Sequence, residues 1–109
     1  MCGAVSNRVR VLVWHRIAQD GPDRIPEIYR GISEDLARTP GLLANELLYS
    51  RSRPGTVAVM SEWRDMDAFL AWEQGPDHRG TTAGLRPYRD LDRDPQYELY
   101  EVAESFVSG

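Results

Sequence analysis

Two imidazoles, His15 and His78, are the side chains of this sequence best suited to move a proton near neutral pH. An unperturbed histidine titrates at about 6.5 and can accept a phenolic or carbon-bound proton. His15 directly follows Trp14, and His78 follows the helix-breaking group Gly75-Pro76-Asp77. Around them the sequence supplies Tyr29, Trp63, Phe69 and Trp72, which have the shape and polarity to wall a cavity for an aromatic molecule. Arg79, Arg86 and Tyr88 lie just beyond, where a guanidinium or a phenol can stabilise a developing oxyanion. Each has a plainer reading too: a hydrogen-bonded structural histidine, an aromatic in a core, a solvated arginine. The catalytic candidates are therefore His78 and His15, and the substrate-binding candidates are Trp14, Tyr29, Trp63, Phe69, Trp72, Arg86 and Tyr88.

Other chemistries are disfavoured. One cysteine and two histidines, distant in sequence, do not supply the three or four ligands of a zinc site without carboxylates, so no metal is expected. No nucleophile-base signature, phosphate-binding glycine loop or dinucleotide fingerprint is present. A net charge of −4 argues against a nucleic-acid partner, and the thirteen basic residues are all arginine and dispersed. No apolar run reaches the roughly 18 residues of a spanning helix, and residues 1–10 do not read as a signal peptide, so a cytoplasmic, membrane-free protein is expected. Cys2 has no internal partner, which permits a reducing compartment.

The elements that must position the candidates follow from periodicity. At 109 residues the chain is one domain, read as a flexible N-terminus at 1–8, a folded region at 9–103 and a tail at 104–109. VRVLVWHR from Val9 to Arg16 alternates as a strand, so Trp14 and His15 point to opposite faces. After a break, Asp23 can cap a helix over Arg24 to Thr39, whose buried stripe is Ile25, Ile28, Tyr29, Ile32 and Leu36. Thr39-Pro40-Gly41 stops it. Leu42 to Arg51 and Thr56 to Trp63 read as a hairpin about Pro54-Gly55. Asp65 is a plausible N-cap for a short helix that carries Phe69 and Trp72. His78 to Arg86 can form a second helical piece, Pro87 to Pro95 is turn-rich, and Gln96 to Val102 alternates as a final strand.

That order, β-α-β-β-α-β, is the split arrangement of a ferredoxin-like α+β fold with a four-stranded antiparallel sheet. Two helices cover one sheet face, yet both alternate sets are apolar. One holds Val9, Val11, Val13, Leu47, Tyr49, Val57, Val59, Tyr97 and Leu99, and the other Leu12, Trp14, Leu42, Leu48, Ala58, Met60, Tyr100 and Val102. The uncovered face predicts a homodimer with two sheets packed face to face.

The run PGLL at Pro40 to Leu43, the strand ending SEW at Ser61 to Trp63, the helix DMDAFLAW, the GPDHR break and the closing YELYEV resemble the antibiotic biosynthesis monooxygenase family, a branch of the dimeric α+β barrel proteins. The resemblance implies a dimeric α+β barrel, an aromatic-lined pocket between helices and sheet, and oxidation of a phenol or anthrone to a quinone by O2 with no metal or flavin. Two family positions differ. The strand tryptophan corresponds to Trp63, but an asparagine four residues earlier is Val59 here, and a tyrosine on the next helix is Phe69. The haem-degrading branch has a histidine where this chain has Thr81, and an asparagine at or near Val13; threonine is no axial ligand for haem. Two alternatives remain beside the cofactor-free oxygenase: a polyketide cyclase or hydrophobic-metabolite binder of the same fold, and a haem-binding member.

Overall fold

A computed structural model describes residues 4, 5, 7–18, 22–76, 80, 82–93, 95 and 97–108. In chain order the elements include β1 (Ala4–Val5), β2 (Val9–Arg16), α1 (Ile25–Leu36), β3 (Leu42–Tyr49), β4 (Thr56–Trp63), α2 (Met66–Glu73), a 3-10 helix (Ala83–Tyr88), β5 (Tyr97–Glu101) and β6 (Glu104–Ser105). The main sheet is antiparallel in the order β3-β4-β2-β5, the ferredoxin-like α+β arrangement. β1 pairs with β6, so regular pairing reaches into both ends, which were expected to be a flexible segment and a tail. Among the described residues no helix is long and apolar enough to cross a membrane.

Local signals explain the helices. The Ile25 N–H donates to Asp23 Oδ1 at 3.0 Å, and Pro26 lies in the first turn, where its missing N–H costs nothing. α2 starts where the Ala68 N–H donates to Asp65 Oδ1 at 2.8 Å. Between α1 and β3 the chain reverses at Gly41, whose φ of +83° is left-handed and whose α-carbon lies so close to Ala68 that an added Cβ would be 2.4 Å from the Ala68 Cβ.

Burial assigns the sheet faces. Val9, Val11, Val57 and Trp63 are buried under the helices, so the set containing Val9 and Val57 faces inward. Leu42 departs from the simple alternation. It opposes Trp63 while Ala44 opposes Glu62, so an irregularity between them inserts Leu43 and returns Leu42 to the helix side, where it packs against both core clusters. One cluster is built on Val9, Val11, Trp63, Ala68 and Phe69, the other on Ile25, Ile32, Leu36, Val57 and Leu85. The cavity described below lies between them and is bounded by members of both.

An aromatic-walled cavity with one buried histidine

β2 and β4 bring the first polar groups together. His15 pairs across the sheet with Val57, a fully buried residue, and therefore points to the helix side. Only 4% of His15 is exposed, and its Nδ1 is buried with no hydrogen-bond partner among the described residues. Burial pushes its pKa down from 6.5 to about 4; the nearby Arg89 guanidinium pushes the same way, and the Val13 backbone opposes them. At neutral pH it is an uncharged imidazole. It lines a cavity of about 630 Å³ between sheet and helices, within the usual range for a small-molecule site.

The far wall is aromatic. Phe69 and Trp72, three apart on α2, meet Trp63 from the end of β4. Trp63 and Phe69 pack edge to face at 5.7 Å, and Trp63 and Trp72 are tilted at 5.3 Å between ring centroids. The Trp63 indole N–H donates to Ser61 Oγ at 2.9 Å, a contact made because residues two apart on a strand share a face. Ser61 in turn lies across the sheet from Asn45 on β3. Asn45 Oδ1 accepts hydroxyl hydrogen bonds from Tyr29 and from Ser33, the latter at 2.9 Å, both on α1. With its oxygen taken twice, Asn45 has only its NH2 group left to offer a ligand.

The remaining wall comes from the segment after α2. Arg89 forms an isolated antiparallel bridge with His15, and the Asp90 N–H donates to the Trp14 carbonyl at 3.1 Å, so this segment continues the sheet beside β2. Asp90 is buried, and Arg16 holds its Oδ1 at 3.2 Å. Thr82, Arg86 and Arg89 join the cavity lining from this side.

The structure thus brings His15, Trp63, Phe69, Trp72 and Arg86 to one cavity. Tyr29 stands behind it and reaches it through Asn45; Tyr88 packs against the core cluster beneath α1. Trp14 lies on the other side of the sheet, under the Arg93 guanidinium at 3.8 Å, because the strand period that turns His15 inward turns Trp14 outward. It cannot wall this cavity. His78, Arg79 and Thr81 lie outside the described residues. Asn45, Ser61 and Arg89 were not singled out from sequence: each is a common residue in a strand or loop, and only the β3–β4 register and the bridge to His15 gather them. Among the described residues no three His, Cys, Asp or Glu side chains cluster as for a metal ion.

Comparison with known proteins agrees with this architecture. SnoaB from Streptomyces nogalater, a cofactor-independent oxygenase, superposes with a TM-score of 0.74 over 94% of this chain and 100% of its own, at 17% identity. A haem-degrading protein from Mycobacterium tuberculosis superposes with a TM-score of 0.70 over 95% of this chain and 99% of its own, also at 17% identity; such likenesses establish the fold. Protein SchA of Streptomyces halstedii is 29% identical over 99 residues, and a 42.8 kDa protein of the whiE locus of Streptomyces coelicolor is 26% identical over 103 residues. The matches cover 90% and 94% of this chain but only 26% and 25% of those relatives, so the chain spans about a quarter of their length. The family model for antibiotic biosynthesis monooxygenases matches residues 8–83, most of the folded sheet together with α1 and α2, and the chain belongs to that family.

Proposed function

We propose that the cavity oxidises a polycyclic phenol or anthrone to a quinone with O2, using no resident metal or flavin. The observation that carries this reading is His15, a buried, uncharged imidazole among the residues lining an aromatic-walled cavity. The cofactor-independent oxygenase among the structural neighbours and the antibiotic-biosynthesis family support it.

In this mechanism Trp63, Phe69 and Trp72 stack against the rings, and His15 accepts the acidic proton of the anthrone methylene. The resulting carbanion is delocalised onto the ring oxygen, where the Asn45 NH2 and an arginine can donate to it. It gives one electron to O2, and the radical pair recombines to a peroxide that takes up a proton. Loss of water then leaves the carbonyl: one oxygen atom enters, two hydrogens leave, and the second oxygen departs in water. Val59 makes the position of the family asparagine apolar, so Asn45, two residues along β3 from Val59's cross-strand partner Leu47, is the amide on this face that can take its place.

The opposite face of the sheet supplies a homodimer surface. On the sheet face away from the helices, Leu12, Leu48, Met60 and Tyr100 form an apolar strip, with Leu48 39% and Tyr100 48% exposed. We assign this face to a second copy, measurable as a doubled mass by light scattering.

The test of the activity is oxygen uptake, with product mass, on 1,8-dihydroxyanthrone. Enzyme-dependent uptake that falls at least about a hundredfold in His15→Gln is expected. No uptake, with 1,8-dihydroxyanthraquinone still bound, would reject the oxygenase in favour of the cyclase or binding protein that the apolar Val59 and Phe69 also suit.

A further inference from the structure

On the sheet face away from the helices, Ala58 of β4 lies in register between Leu48 of β3 and Trp14 of β2. A small side chain between two large ones leaves a hollow in that face, of about 260 Å³. Toward the β3–β4 hairpin the same face continues with Thr56 and Ser50, whose N–H donates to the Thr56 carbonyl at 3.0 Å. The hairpin loop is held from within. The Thr56 N–H donates to the Arg53 carbonyl at 3.1 Å, and the Arg53 N–H donates to Ser50 Oγ at 2.9 Å. Ser50 and Ser52 Oγ are 3.4 Å apart, so one hydroxyl hydrogen joins them and the other is left to donate. From the β2 side comes Arg93, over the Trp14 ring at 3.8 Å, a cation–π contact that holds the guanidinium in place without using its N–H groups. Arg53 and Arg93 both line the hollow, and neither has an ion pair among the described residues. Arg16, beside Thr56 across the sheet, is held by Asp90 and Asp92. No carboxylate lines the hollow.

We propose that this hollow is a second binding site, for the phosphate group of a small anion. Arg53 and the hydroxyls of Ser50, Ser52 and Thr56 supply donors from the hairpin side, and Arg93 supplies them from the other. A phosphate takes donors on three terminal oxygens pointing in different directions, whereas a carboxylate presents two oxygens in one plane. The planar fork of arginine fits two phosphate oxygens at once. About 260 Å³ lies below the usual span of pockets for drug-sized ligands, so it suits a phosphate with a short ester chain. A net charge of −4 gives the chain no general attraction for anions, which leaves the binding to the placement of these two arginines. The site lies on the opposite side of the sheet from the cavity of His15 and is independent of its chemistry. It borders the strip assigned to a second copy at the hairpin end, with Leu48 common to both.

The probes are inorganic phosphate, glycerol 3-phosphate and acetate, titrated calorimetrically into the full chain in low-salt, phosphate-free buffer at about pH 7.5, where a phosphomonoester is mostly dianionic. Both phosphates should bind, and acetate should bind about tenfold or more weaker. Arg53→Gln and Arg93→Gln should each weaken phosphate binding about tenfold, the usual worth of a hydrogen bond to a charged group. Ala58→Leu fills the floor and leaves every charge in place, and it should abolish binding. Arg51→Gln, on the same loop but outside the hollow, should change nothing. Urea midpoints report folding; Arg93→Gln uncovers Trp14, so Arg53→Gln, at an exposed loop position, carries the assignment if that variant is unstable. Tighter binding of glycerol 3-phosphate would support the site and assign it to a phosphorylated metabolite, and binding of inorganic phosphate at least as tight would support it and assign it to the free ion. Absence of binding by both phosphates would overturn the site. So would acetate binding as tightly as phosphate, or a loss in Arg51→Gln equal to that in Arg53→Gln, which would mark a diffuse field in place of a built site.

Discussion

Trp63 gives its indole N–H to the hydroxyl of Ser61, two residues back on the same strand, at 2.9 Å. The indole is fully buried at the inner end of the cavity wall. Its one donor is therefore spent within the protein, and none is left for a ligand. Ser61→Ala should leave that N–H without a partner and lower unfolding stability by about 1–3 kcal/mol in urea titrations. Trp63→Phe should lose less through the hydrogen bond and more through the vacated volume, and in the Ser61→Ala background its further cost should be smaller than in wild type, a double-mutant cycle that measures the pair.

Asn45 separates structural from chemical contributions. Asn45→Leu strands the hydroxyls of Tyr29 and Ser33 and should cost about 1–3 kcal/mol. Asn45→Asp keeps both acceptor contacts and loses the NH2 donor. Its urea midpoint should stay close to wild type while kcat for anthrone oxidation falls roughly a hundredfold, the usual loss for one oxyanion donor. An Asn45→Asp enzyme with unchanged kcat would remove the amide from the mechanism.

His15 predicts a pH dependence of stability with a definite sign. Its pKa falls from 6.5 unfolded to about 4 folded, so between those values the unfolded chain binds more protons. The neutral-histidine contribution is complete above about pH 6.5 and is lost as pH falls through the window to 4, on the order of 3 kcal/mol in all. Stability measured from pH 7.5 to 4 should decline less steeply in His15→Gln than in wild type. Parallel curves would mean that the imidazole is not held neutral. The acid limb of kcat/KM belongs near 4 for the same reason.

The Arg16–Asp90 pair anchors the segment that delivers Arg89 to the cavity. Asp90 is buried and Arg16 exposed, so solvent screens the pair and its loss is smaller than for a fully buried one. Arg16→Met should cost about 1–2 kcal/mol. It should also speed amide hydrogen exchange at Asp90, whose N–H is bonded to Trp14. Unchanged exchange there would show that the segment is held by its backbone alone.

At Gly41 both backbone angle and space are against a side chain. Gly41→Ala needs a positive φ and a Cβ placed 2.4 Å from that of Ala68, so α2 must move away from the β3 start. The expected cost is at least about 1–3 kcal/mol, seen as a lower urea midpoint. Because Ala68 lies on the helix that carries Phe69 and Trp72, ligand affinity should weaken as well.

By itself the sequence determined the order of elements, because the information is local. Alternation in VRVLVWHR, the Asp23 carboxylate that accepts from the first N–H of α1, the N-cap Asp65 and the breaks at Pro40-Gly41 and Pro54-Gly55 act over one or two turns of chain. They were enough to read the ferredoxin-like order, and with the family motifs to place Trp63, Phe69 and Trp72 around a cavity. The tertiary structure decided which alternate set faced the helices, since an apolar residue suits either face of a sheet that is apolar on both. That choice sends His15 into the cavity and Trp14 to the opposite side. It also decided the β3 irregularity that turns Leu42 inward, the β3–β4 register that sets Asn45 beside Ser61, and the bridge that sets Arg89 beside His15. Those contacts join residues far apart in the chain. No local periodicity encodes them, because they arise only when strand pairing and burial are satisfied together.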